Sequence, residues 1–176
     1  AQAAQFQQQV FQMGRSLGLP VINLSFGSGW SNTNNLAGDY DKPGDLSAYC
    51  DYANAHTFPL PDTGQPDATI QMMIRNAHMD APARPIIHTE IGWDGRTTEA
   101  DVAKNILEGV LDTMLDGSAA VYLYALYDDK YQTFGLMNAD ATPKPEGGAF
   151  LNLMVLLSDT GSTASTFTPQ NLSYNV

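Results

Sequence analysis

The chain has 176 residues with 19 acidic and 8 basic side chains, a formal charge of −11 and a pI near 4.3. That balance excludes a nucleic-acid partner, whose phosphates need neutralising, and equally disfavours an anionic membrane surface. The length allows one domain with its own core, and with no apolar run of about 18 residues no transmembrane helix is expected.

Residues 3–17 carry Phe6, Val10, Met13 and Leu17 at spacings of three and four, a helix stripe that Gly18 closes. After Pro20, VINLSF (21–26) reads as a strand in which Ile22, Leu24 and Phe26 alternate with Asn23 and Ser25. The apolar set is expected toward outer helices and the small polar pair toward a centre. Residues 27–45 form a long polar loop holding Trp30 and Tyr40, a length that is usually functional or disordered. Its Asp39, Asp41 and Asp45 read as solubilisers and lack the spacing of an EF-hand.

Asp45 can cap a short turn before a second strand, Cys50 to His56, on which Tyr52, Asn54 and His56 share a face. Cys50, the single cysteine, has no internal partner and no basic neighbour, so it reads as a buried structural thiol. FPLPDTGQPD is turn chemistry, and Asp67 or a neighbour then caps a helix with Ile70, Met73, Ile74 and Ala77 on one side. Its methionines read as core filler.

Pro85 to Glu90 is the third strand, running out into Ile91, Gly92 and Trp93. A carboxylate at the C-terminal lip of a strand stands where parallel α/β folds place their chemistry. Gly92 is expected to let a ligand approach, and Trp93 offers a flat apolar face for a sugar ring or, alternatively, belongs to the core. Thr98 with Asp101 is a relative of the capping box and opens a helix carrying Val102, Ile106, Val110, Leu111 and Met114, ended by Gly117. AAVYLYALYDD (119–129) is the most apolar run, expected as a strand buried on both faces. Pro145 opens the last helix, to Leu157, and a Ser/Thr-rich tail follows. The domain is expected over 1–158, with 159–176 a tail or the start of a following segment; both ends look cut.

Repeated β-then-α units predict an α/β fold with a parallel sheet and outer helices. A doubly wound sheet would want a phosphate-binding glycine turn, and GSG at 27–29 does not open a helix. The other architecture is half of a TIM barrel, a (βα)4 unit.

CDYANAHTFP, HTEIGW, AVYLYALYDD and FGLMNADATPKPEGGAFLNLM, in that order, resemble strands six to eight and the closing segment of retaining (β/α)8 glycoside hydrolases with catalytic glutamates on strands four and seven. The resemblance spans about 21–158 as strands five to eight. It implies Glu90, in its Thr89-Glu90-x-Gly92 setting, as nucleophile; His56 and Phe58 as the residues ending the preceding strand; and Tyr124 or Tyr127 as the sugar-site aromatic. The clan's acid/base is a glutamate after asparagine on strand four, and this chain has no Asn-Glu pair. Glu99, Glu108 and Glu146 all fall on helices or their starts. Retaining hydrolysis needs two carboxyl groups about 5–5.5 Å apart, so the chain alone is expected to turn over weakly or not at all.

The expected carbohydrate contacts are Asn23, Ser25, Trp30, Asn54, His56, Phe58, Trp93, Tyr124 and Tyr127, and no cofactor is expected. Two other readings stay open. One is a non-catalytic, sugar-binding or self-assembling half-barrel built on the aromatic residues. The other is a metal-dependent hydrolase in which His56, His88 and Glu90 converge, His88 being two residues before Glu90 and so on its face. A half-barrel also has two free edges, so a homo-oligomer, a dimer of half-barrels, or a missing N-terminal half is expected to complete it.

Overall fold

The computed structural model describes residues 2–26, 40–59, 66–93, 97–128, 130, 133–158, 160–162, 164–166 and 168. Helix α1 (Gln2–Ser16) precedes three strand–helix repeats: β1 (Ala53–Thr57), α2 (Pro66–Asp80), β2 (Ile86–Ile91), α3 (Glu99–Leu115), β3 (Ala120–Leu123) and α4 (Pro145–Leu157). The strands form one parallel sheet in chain order, β1-β2-β3. This is the expected α/β architecture, part of a barrel wall with helices outside. Among the described residues no helix is long and apolar enough to cross a membrane.

The local signals act where the sequence puts them. Gly18 (φ 69°) and Gly117 (φ 82°) end α1 and α3 in the left-handed conformation that favours glycine. The Thr98 hydroxyl accepts from the Asp101 amide at 3.2 Å and donates to the Asp101 carboxylate at 2.6 Å. Pro145 is the first residue of α4.

The first expected strand is reduced to one rung. Ile22 bridges Tyr52 in parallel, the Asn23 amide donates to the Tyr52 carbonyl at 2.8 Å, and the Asp51 amide donates to the Val21 carbonyl at 2.7 Å. Asp51 also takes the Val21 N–H at 2.7 Å on its side chain, and Arg15 pairs with it. VINLSF therefore occupies the place of a fourth strand next to β1 without extending the ladder.

The polar alternation on that segment points the other way from expectation. Asn23 is buried beside Asp80 at the end of α2, and Ser25 Oγ lies 3.5 Å from the Tyr40 hydroxyl. Tyr40 belongs to the core between sheet and helix, packed with Cys50, Ala53, Ala55, Met73, Ala77, Ala81 and Ile86. Asn23 and Ser25 thus face the helix layer, and the assignment of their side chains to the sugar site is corrected. Buried carboxyl and phenol groups on the helix side drew the polar residues there, since buried polar groups seek polar neighbours.

Two apolar patterns also differ. On α1 the face turned inward is Gln7 and Gly14, with Gln7 Nε2 donating to the Tyr49 carbonyl at 2.8 Å, while Phe6, Met13 and Leu17 stay exposed. The run 119–129 is not buried on both faces. Its regular part is β3 alone, and Tyr122 and Leu126 are 58% and 59% exposed. Beyond β3 the chain turns back, the Ala125 amide donating to Phe134 and the Leu136 amide to Ala125, so no further strand covers β3 among the described residues.

Candidate active site

The site is shaped by an irregularity in the register of β1 against β2. Ala55 pairs with His88, but the next residue, His56, pairs with Glu90. One extra residue on β2, Thr89, has been inserted, which is a β-bulge. On β1 the alternation is regular. Ala53 and Ala55 pack against α2, Thr57 follows them in phase, and Asn54 and His56 point to the concave side. The bulge puts both Thr89 and Glu90 on that concave side, in reach of β1's polar pair.

The result is a chain of side chains across two strands. Asn54 Nδ2 donates to the Asn23 carbonyl at 3.0 Å, and the Thr89 hydroxyl donates to Asn54 Oδ1 at 2.6 Å. His56 Nε2 lies 2.9 Å from Thr89 Oγ1, and His56 Nδ1 lies 3.5 Å from Glu90 Oε2. Asn54 is buried, while the His56 and Glu90 side chains are 29% and 37% exposed. Glu90 therefore has the His56 ring against one carboxylate oxygen and is partly open to solvent, the state a carboxylate needs to meet a ligand.

His88 takes no part. It is fully buried, and its Nδ1 lies 2.9 Å from the Thr57 hydroxyl on the helix side of the sheet. Burial pulls its pKa down to about 4, so the ring is neutral. The expectation that His88 shares a face with Glu90 fails because the bulge breaks the two-residue period between them. A metal site of His56, His88 and Glu90 fails with it, and among the described residues no group of three His, Cys, Asp or Glu side chains is placed to hold a metal.

Three aromatic rings gather at Gly92, two residues after Glu90. Phe58, Tyr124 and Phe134 meet edge to face with centroids 5.4–5.8 Å apart. Gly92 is the point on which they close. A Cβ there would lie 2.4 Å from the Tyr124 carbonyl, 3.1 Å from Phe58 and 3.2 Å from Phe134. The space at Gly92 is filled by the protein, which corrects the idea that this glycine admits a ligand. Phe58 and Tyr124 come together as sequence-based candidates; Phe134 is a member that sequence reasoning missed, since a lone aromatic in a loop carries no periodic signal.

Trp93 is 1% exposed and packs with Val102 and Ile106 of α3. It is core, so its role as a sugar platform is also corrected. Tyr127 is 45% exposed and bridges Met137 through the backbone. Trp30 lies outside the described residues.

Other carboxylates have other neighbours. Glu99 and Glu108 are on α3. Glu146, in the first turn of α4, is buried, and burial raises its pKa against the pull of Lys144, 3.9 Å away. Burial pushes Asp128 upward too, but Lys144 at 2.7 Å and the Gly135 amide outweigh it and hold the carboxyl below its ordinary range.

Parallel strands in chain order, outer helices and a polar concave face at the strand ends give this chain the fold of part of a (β/α)8 barrel. The sequence matches no protein-family model and no curated protein. Among solved structures the chain is similar to a GH128 (subgroup VI) exo-β-1,3-glucanase from Aureobasidium namibiae, at 21% identity and a TM-score of 0.60 over 83% of this chain and 58% of that one. It is similar to an active-site mutant of the Rhizomucor miehei β-1,3-glucanosyltransferase in complex with laminaritriose, at 15% identity and TM-score 0.62, over 82% of this chain and 56% of that one. A family 39 glycoside hydrolase from Bacteroides cellulosilyticus matches at 15% identity and TM-score 0.54, over 86% of this chain and 37% of that one. These likenesses show the fold, and the chain spans a little over half the length of the first two.

Proposed function

We propose that the chain is the nucleophile-bearing part of a retaining β-glycoside hydrolase, acting on a β-glucan once its barrel is complete. The observation that carries this is Glu90. It lies at the C-terminal end of β2, on the concave face, partly exposed, with His56 against its carboxylate and the Phe58–Tyr124 pair gathered at Gly92, two residues on. The names of the similar structures support β-1,3-linked glucose as the substrate to test first.

In this reading a Glu90 oxygen attacks the anomeric carbon, the glycosidic C–O bond breaks, and its electron pair leaves on the aglycone oxygen. Water then attacks the glycosyl ester and releases Glu90. Protonating the leaving oxygen needs a second carboxyl group, which this reading places outside the (βα)4 unit. A second (βα)4 unit, from a longer chain or another copy, would bring it. Residues 1–158 are the half-barrel in this proposal and 159–176 a tail.

An activated substrate separates the nucleophile from the missing acid. A 2,4-dinitrophenyl 2-deoxy-2-fluoro-β-glucoside has a leaving group that needs no proton and a fluorine that slows release of the ester. Mass spectrometry should find the sugar on the peptide containing Glu90, and none in Glu90→Gln. Labelling elsewhere, or none in the chain or in a reconstituted barrel, would sink the proposal. Ordinary aryl glycosides should turn over little or not at all with the isolated chain.

A further inference from the structure

The chain of side chains between the Asn23 carbonyl and Glu90 fixes where its protons sit. A carbonyl oxygen can only accept, so the Asn54 atom 3.0 Å from the Asn23 carbonyl is the amide NH2. The Asn54 oxygen can only accept as well, and at 2.6 Å it takes the one proton of the Thr89 hydroxyl. Thr89 Oγ1 then has only a lone pair for His56 Nε2 at 2.9 Å, so Nε2 must carry a hydrogen. The remaining ring nitrogen, Nδ1, is the one turned on Glu90 Oε2 at 3.5 Å.

We propose that Thr89 is a positioning residue of this site: anchored through Asn54 to the Asn23 carbonyl, it locks His56 as the Nε2–H form, so that the neutral ring turns its bare Nδ1 on Glu90. A bare Nδ1 against a bare carboxylate sets two acceptors against each other. The bulge that inserts Thr89 is thus also what decides the proton arrangement beside Glu90.

Without Thr89 the same ring would do the opposite. A neutral imidazole beside a carboxylate places its hydrogen toward the carboxylate, here on Nδ1. The lock therefore holds the ring against its local preference, and that makes it measurable. The proton placement rests on the hydrogen bonds alone. Its bearing on catalysis rests on the reading of Glu90 as nucleophile.

The test is long-range 1H–15N correlation of the ring nitrogens in 15N-histidine-labelled protein across pH, with the His56 signal identified by its loss in His56→Gln. The neutral ring should show hydrogen on Nε2 and none on Nδ1 in the native chain and in Thr89→Ser, which keeps the hydroxyl. In Thr89→Val the hydrogen should move to Nδ1 in most molecules. Asn54→Leu, which returns the Thr89 proton for donation to Nε2, should move it the same way and stands in if the valine variant does not fold. A neutral native ring with bare Nε2, or a pattern unchanged in both variants, overturns the proposal. These spectra need no substrate, so the trapping experiment at Glu90 can fail while this one succeeds, and the reverse.

Discussion

His88 and Glu90 are two residues apart on β2 and face opposite sides of the sheet: the His88 ring lies 2.9 Å from Thr57 in the helix layer, while Glu90 Oε2 lies 3.5 Å from His56 Nδ1 on the concave side. A regular strand would put them together. The inserted Thr89 sends one into the core and leaves the other at the site, and this separates the protein's stability chemistry from its candidate catalytic chemistry.

His88 makes the first prediction. Burial lowers its pKa from the ordinary 6.5 to about 4, so between those values the unfolded chain takes up a proton that the folded chain refuses. Its contribution is complete above pH 6.5 and is lost as pH falls toward 4, about 3 kcal/mol in all. His88→Gln keeps a polar partner for Thr57 and removes the titration. Urea unfolding at several pH values should show the variant losing stability from pH 4 to 6.5 relative to the native chain; curves of identical pH dependence would refute it.

Asp80 acts in the opposite sense. It is fully buried, neither oxygen has a well-formed hydrogen bond, and burial pushes its pKa up to about 7, only partly offset by the Asn23 amide. The folded state keeps a proton that the unfolded chain has lost, so stability is full below the ordinary 3.8 and is lost as pH rises to about 7. The cost is on the order of 4 kcal/mol. The groups oppose each other between pH 4 and 6.5, so the native chain should have a flatter profile than either variant. Asp80→Asn should gain stability as pH rises, and His88→Gln should lose it. Two variants sloping the same way would show that one assignment is wrong.

The elements were legible because their signals are local. Proline at the start of α4, glycine after α1 and α3, the Thr98 cap, and apolar spacing on α2 and α3 each act within a turn or two. Glu90 at a strand end was legible for the same reason, and so was the shared face of Asn54 and His56. What a side chain meets across the fold was not. Asn23 and Ser25 turned toward Asp80 and Tyr40 because those groups are buried there, and Trp93 filled a gap over Val102 and Ile106. The bulge was invisible to any argument from a two-residue period, and with it the role of Thr89.

Two glycines should respond oppositely to the same change. Gly92→Ala puts a methyl 2.4 Å from the Tyr124 carbonyl, a backbone atom that cannot swing aside, with Phe58 and Phe134 closing the other directions. A cost of about 1–3 kcal/mol or more is expected. Gly148, inside α4, has open space around its missing Cβ, and alanine there should stabilise by about 0.5–1 kcal/mol through reduced backbone freedom in the unfolded chain. Thermal unfolding of both variants checks this, and a neutral Gly92→Ala would mean the aromatic cluster is looser than its geometry.

The last prediction concerns the edge at β3. Among the described residues β3 pairs with β2 on one side and with no strand on the other. Tyr122 and Leu126 are more than half exposed, and on α4 Val155 and Leu156 are 72% and 82% exposed. A strand edge left without a partner beside apolar surface invites pairing, and the polar relief that usually blunts such edges is missing from β3, Ala120–Leu123. A second (βα)4 unit would satisfy both the backbone and the apolar surface by continuing the parallel sheet. The isolated chain should therefore self-associate at micromolar concentration in analytical ultracentrifugation. The pair Tyr122→Lys and Leu126→Lys should shift it toward monomer without unfolding it, because neither side chain is buried and like charges on two facing edges repel. Monomeric native chain, with amides from Tyr122 to Leu126 already slow to exchange, would show that the edge is protected by the chain itself.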